Sequence, residues 1–119
     1  MLERTVADLS RGLVVWVELA PARGREQAGR RPALVVASDL YLEQADSLAI
    51  IVPVTTTDRG WPNHVRLRGR ALELDRPSFA MTEQPRTVTR TRLVASSGSV
   101  DAQTMGKVDL WLRDFLGLP

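Results

Sequence analysis

Pro32 opens directly onto five uninterrupted apolar residues, Ala33-Leu34-Val35-Val36-Ala37. A run this short, entered through a proline and left through the turn or cap signal Ser38-Asp39, reads as a buried strand. Just upstream lies a polar loop bracketed by Gly24 and Gly29. It carries Glu26, with Arg23, Arg25, Arg30 and Arg31 around it. A loop anchored directly onto a buried strand holds its charged groups in fixed positions. The rest of the chain can be read by asking what faces that loop.

Other stretches have strand character. Leu13–Leu19 is rich in Val and Trp, and Pro21 ends it. Leu48–Thr56 is a third strand with Pro53 inside it; proline cannot donate to a ladder, so a bulge or an unpaired edge is expected there. Tyr41–Asp46 reads as a helical turn. Asp58-Arg59-Gly60 has turn chemistry. From Val65 to Arg68 apolar and basic residues alternate, which turns Val65 and Leu67 inward and Arg66 and Arg68 outward. Pro77–Gln84 and Arg86–Val88 read as strand interrupted by Pro85, and Leu93–Val100 holds a Ser/Gly-rich turn or bulge. Asp101 is an N-cap candidate for a closing helix whose Met105, Val108, Leu112 and Phe115 recur at three- and four-residue spacing; Gly117 ends it. Five to seven short strands and one C-terminal helix, without long βαβ repeats, point to a mainly β fold: a small antiparallel barrel with a helix against it.

The 119 residues suit one domain, residues 12–119, behind a polar lead-in over residues 1–11. With no cysteine, disulfides, zinc-thiolate sites and thiol nucleophiles are excluded. A single histidine, His64, makes a transition-metal site improbable, and it reads as a surface residue near a turn. Glycine-rich phosphate loops of the Walker or dinucleotide type are absent. The longest apolar run, Leu48–Val54, cannot span a bilayer, and no secretory h-region precedes it, so a cytoplasmic location is the default.

Net charge is only +2, but it is unevenly placed. Residues 23–31, 59–70 and 86–92 together carry +10, leaving −8 on the remainder. The cations are fifteen arginines and one lysine, Lys107. Codon bias accounts for that ratio as well as function does. The clustering favours an anionic partner, and arginine suits bidentate phosphate contacts and stacking on bases.

Several constellations could carry chemistry. In Arg31-Pro32, proline fixes the point from which an arginine projects, toward a phosphate or only toward solvent. In Pro53-Val54-Thr55-Thr56-Thr57, a hydroxyl leaving a buried strand can donate to a phosphate oxygen, although threonine is also simply a good strand residue. Glu26 can orient an arginine, act as a base, or pair weakly at the surface. Trp61, in a basic stretch between Gly60 and Pro62, can stack on a base, enter a subunit interface or cover its own loop.

Four segments together resemble the MazF/PemK family of toxin endoribonucleases. They are Trp16 with Leu19, Pro21 and Gly24; Gly24-x-Glu26-Gln27-x-Gly29-x-Arg31-Pro32 leading to Ser38; Val52-Pro53-x-Thr55-Thr56 with Gly60-Trp61-Pro62; and Glu83-Gln84-x-Arg86-Thr87, followed by Leu93, Gly98 and the final helix. The match runs in order over residues 12–118. Pro85 departs from the pattern, standing where an apolar strand residue is expected.

The resemblance implies an SH3-like β-barrel of the MazF/PemK/CcdB type and a homodimer. It implies cleavage of single-stranded RNA at a short motif without metal or cofactor. Carried over by motif position, Arg31 and Thr55 form the catalytic pair, with Glu26 orienting Arg31 or activating the 2′-OH. Arg25, Gln27, Thr56, Arg59, Trp61, Gln84 and Arg86 would contact substrate. The implied protein partner is an antitoxin with an acidic, disordered tail. The competing readings are a gyrase-poisoning toxin of the same barrel fold and an inactive RNA-binding barrel. Relatives of the first kind lack the Arg-Pro and Thr-Thr signals.

Overall fold

The computed structural model describes residues 8–19 and 29–119. Along them run β1 (Leu13–Leu19), β2 (Gly29–Val35), α1 (Asp39–Gln44), β3 (Leu48–Thr55), β4 (His64–Arg66), β5 (Phe79–Met81), β6 (Arg86–Thr89), a 3-10 turn (Arg90–Arg92), β7 (Leu93–Ser99) and α2 (Ala102–Leu116). The expected order of short strands and one closing helix is therefore what the chain adopts. All strand pairs are antiparallel, in the order β4-β5-β3-β2-β1-β7, with β6 pairing with a second stretch of β3.

The central strands are buried on both faces, as an unbroken apolar run requires. One face contributes Val14, Leu34, Val52 and Val54 to a core shared with Val65, Leu67, Ala80 and with Met105 and Val108 of α2. The other contributes Val15, Val17, Ala33, Val35, Ala49 and Ile51 to a second core with Leu42 and Leu93. The alternation read from Val65–Arg68 holds: Val65 and Leu67 are buried, Arg66 and Arg68 exposed.

The outer edge of β3 is divided between two partners. Its first half pairs with β6, ending at Ile51↔Arg86, and its last two residues pair with β5, beginning at Val54↔Ala80. Between those pairs β3 advances three residues while the other side covers six, so residues 82–85 bulge out. Pro53 falls in the gap, where its missing N–H costs no ladder bond on that edge. The strand read over Pro77–Gln84 is correspondingly shorter. It stops at Met81 because Thr82 turns its hydroxyl onto the carbonyl of Asn63 (2.7 Å) and the Gln84 N–H closes a turn onto Met81 (3.1 Å). Pro85 lies in this bulge, where no ladder is interrupted.

The two ends of the strand order are bridged by single hydrogen bonds. The Asp101 N–H donates to the Arg68 carbonyl (2.8 Å) and the Glu73 N–H to that of Ser97 (2.8 Å). Backbones meet so closely at this seam that a Cβ on Gly69 would stand 2.7 Å from the Ser99 oxygen, and one on Gly98 (φ +87°) would collide with the Ala71 carbonyl.

Local caps match the sequence signals. Ser38 Oγ accepts from the Tyr41 N–H (3.0 Å), which starts α1 two residues earlier than the Tyr41–Asp46 turn read from the sequence. Asp101 caps α2 through the Thr104 N–H (2.8 Å), and Gly117 ends it in the left-handed conformation. Two arginines serve the fold. Arg90 donates to the carbonyls of Leu48 (2.9 Å), Leu42 and Ala45, closing the loop after α1. Arg11 ties Val36 and Asp109 together and donates its backbone N–H to Asp39.

One substitution type should act with opposite signs at two glycines. Gly98→Ala adds a methyl against a backbone carbonyl at positive φ and is expected to cost at least about 2 kcal/mol. Gly106 lies exposed within α2 with open space where a Cβ would project, so Gly106→Ala is expected to gain about 0.5–1 kcal/mol. Urea unfolding of the two variants checks both signs.

Candidate active site

The β2–β3 ladder ends at Ala33↔Pro53. Arg31 lies on β2 two residues before this end, and Thr55 on β3 two residues past it. Side chains alternate along a strand, so Arg31 shares its face with Ala33 and Thr55 shares its face with Pro53, which lies opposite Ala33. The row extends in both directions through observed pairs: Arg31 lies opposite Val17, Val17 opposite Leu93, Thr55 opposite Phe79 and Phe79 opposite Arg66. It passes from buried Leu93 and Val17 to exposed Arg31, half-buried Thr55 and Phe79, and exposed Arg66. Arg30, one residue earlier, lies opposite Glu18 and belongs to the other face.

The Thr55 hydroxyl is oriented. Its Oγ1 accepts from the Thr57 N–H (3.1 Å), which leaves the O–H proton as a donor toward the surface. Thr56 and Thr57 are exposed beyond the strand. The following loop is built by local bonds: Asp58 Oδ1 accepts from the Gly60 N–H (2.9 Å), and Gly60 takes positive φ. The Arg59 guanidinium lies 5.6 Å from the centre of the Trp61 ring, which is 4.9 Å from the His64 ring. Trp61 nevertheless keeps 51% of its surface exposed.

His64 corrects its reading as a surface residue, since it is only 7% exposed. Its Nε2 meets Glu83 Oε2 at 3.2 Å and must carry the proton to donate there, while Nδ1 is buried with no partner. Glu83 also accepts from Asn63 Nδ2 (2.9 Å) and Gln84 Nε2 (3.1 Å). Desolvation pushes the Glu83 carboxyl upward. Hydrogen bonds from its own backbone N–H, His64 and Gln84, with the charge of His64, outweigh that and hold it below the ordinary range. The cluster fastens the 82–85 bulge to β4, and with it Gln84, whose amide also reaches Met81 Sδ (3.7 Å). Arg86 stands two residues further on, exposed, opposite Ile51.

Among the residues singled out from the sequence, Arg31, Thr55, Thr56, Arg59, Trp61, Gln84 and Arg86 lie on β2, on β3 or on the segments joined to β3 and β4. Glu26, Arg25 and Gln27 lie outside the described residues. No group of three or more His, Cys, Asp or Glu that could hold a metal occurs among the described residues. No helix there is long and apolar enough to cross a membrane. The Glu83–His64–Asn63 cluster was missed because its members lie nineteen or twenty residues apart, with no local motif.

The sequence profile described as "PemK-like, MazF-like toxin of type II toxin-antitoxin system" matches residues 10–116. The chain belongs to this family. The endoribonuclease toxin MazF of Escherichia coli K12 is 30% identical over 118 residues, covering 98% of this chain and 100% of that protein. The MazE-MazF crystal structure from Deinococcus radiodurans superposes with a TM-score of 0.78 at 27% identity, over 93% of this chain and 97% of that one. A mycobacterial endoribonuclease in complex with its cognate antitoxin gives 0.74 at 27% identity, over 94% and 98%. The expected barrel-type fold thus agrees with solved structures of MazF proteins.

Because the folded-state pKa of Glu83 is depressed, its contribution to stability is present above the ordinary value of 4.5 and is lost as pH falls through the folded value. Glu83→Gln is expected to melt below the wild type at neutral pH. The gap should narrow as the pH is taken below 4.5, as thermal melts over an acid series will show.

Proposed function

We propose that this chain is the toxin of a type II toxin–antitoxin pair and acts as an endoribonuclease on single-stranded RNA. What supports the reading is that Arg31 and the oriented hydroxyl of Thr55 lie on one face of the sheet, just past the end of the β2–β3 ladder. The names of the relatives support the activity class.

The chemistry these two groups serve best is transesterification. The 2′-oxygen attacks the adjacent phosphorus, the P–O5′ bond breaks, and the products are a 2′,3′-cyclic phosphate and a 5′-hydroxyl. Negative charge builds on the non-bridging oxygens in the transition state. A fixed guanidinium and a hydroxyl donor stabilise that charge in place, with no metal required by the chemistry. Arginine stays protonated and is a poor base, so Arg31 acts through charge and by hydrogen bonding to the leaving 5′-oxygen, which takes its proton from solvent water. Glu26 is assigned to orient Arg31 or to take the 2′-OH proton. Arg25, Gln27, Thr56, Arg59, Trp61, Gln84 and Arg86 hold the strand by phosphate contacts, base edges and stacking, and select a short motif.

The protein partner in this reading is a cognate antitoxin whose acidic, disordered tail competes with RNA for the same basic surface. The toxin itself acts as a homodimer.

Purified protein is expected to cut a long single-stranded RNA in the presence of EDTA. Arg31→Ala and Thr55→Ala should each lower the rate at least about a hundredfold while leaving the melting temperature near that of the wild type. An uncut RNA with the wild type overturns the nuclease reading. Variants that cut as fast as the wild type overturn the assignment of the pair.

A further inference from the structure

We propose that Phe79 and Arg66 form a nucleotide subsite beside the Arg31–Thr55 pair, with a base on the Phe79 ring and its phosphate on Arg66. The inference rests on the RNA reading above and adds two residues that no sequence motif marks.

The argument starts from the pairing. Thr55, Phe79 and Arg66 are directly opposed on three adjacent strands, β3, β5 and β4, and their side chains emerge on one face. Strand spacing puts the Arg66 backbone about 10 Å from that of Thr55, with Phe79 midway. The parity is independently fixed by burial. Val54, Ala80, Val65 and Leu67 all turn into the core behind, so Thr55, Phe79 and Arg66 must turn away from it. Phe79 is half-buried, neither closed into the core with Ala80 nor fully exposed. Arg66 is exposed, and its side chain makes no hydrogen bond or ion pair among the described residues. An aromatic ring beside an uncommitted arginine, next to a phosphate-stabilising pair, is the arrangement that single-stranded nucleic acid uses: the base stacks and the cation follows the backbone. The neighbouring row on the same face, His64 opposite Met81, is closed by the Glu83 cluster. The open path therefore runs along Thr55, Phe79 and Arg66.

Two measurements test this. The first is equilibrium binding of a labelled, 2′-O-methylated oligoribonucleotide of mixed sequence, which cannot be cut, across a salt series. The second is cleavage of unmodified RNA. Arg66→Ala is expected to weaken binding and to reduce the slope of log K against log salt by about 0.7, the value for one phosphate contact on a single strand. Lys107→Ala, which removes the same charge from α2, should leave the slope unchanged. Phe79→Leu keeps an apolar side chain in place and should weaken binding on the order of tenfold, with KM raised and kcat retained. Melting temperatures establish that both variants fold.

If the wild type cuts RNA but both variants bind and cut as it does, the subsite is wrong and the nuclease reading stands. If the wild type neither binds nor cuts, both fall. If only binding of poly-L-glutamate responds to the two changes, the row serves an acidic protein tail, and the RNA subsite is overturned.

Discussion

The outer edge of β3 cannot be one continuous ladder, and most of the site follows from that. Pro53 supplies no N–H, and the chain resolves this by giving the two halves of the edge to different strands with three extra residues between them. That extra length is taken up by the residues of the bulge, Thr82–Pro85. They carry Glu83 and Gln84 out to the surface beside Met81, where His64 and Asn63 secure them. A continuous strand would have buried or paired these groups. The split also lets β5 cross the end of β3, which brings Phe79 and Arg66 into line with Thr55.

The back of the sheet provides the rigidity that such a row needs. One core is filled from α2 and the other from α1 and β7, so the strands bearing the row cannot shift without disturbing packed residues on both faces. The seam between the ends of the strand order makes a different demand. It is held by single hydrogen bonds and close backbone contact at Gly69 and Gly98. The close-packed glycines of the seam therefore lie apart from the row of Arg31, Thr55, Phe79 and Arg66.

The fold was legible where local chemistry decides it. Ser38 and Asp101 announced their caps, Pro53 announced an interruption, and the alternation from Val65 to Arg68 gave the inward and outward sides correctly. It was illegible where distant residues decide. His64 looks exposed in sequence because nothing near it explains burial; Glu83, nineteen residues on, supplies the partner, and Trp61 covers the ring. Pro77–Gln84 looks like one strand because its composition suits one. The hydroxyl of Thr82, bonded to Asn63 from another element, ends it early. The loop with Glu26 lies outside the described residues, so its chemistry rests on sequence pattern alone.

The register also bears on which of two adjacent arginines is suited to act. In composition Arg30 and Arg31 are interchangeable. On β2 they are not, because successive side chains point to opposite faces. Arg30 lies opposite Glu18, on the face away from Ala33 and Val35. Arg31 lies opposite Val17, an apolar residue on the buried side, and continues toward Thr55. A slip of one residue in the β1–β2 pairing would exchange the two. It would also turn Ala33 and Val35 out of their core and put Leu34 in their place. The apolar run after Pro32 therefore does more than form a strand. By insisting on its own burial, it sets the parity of the arginine before it.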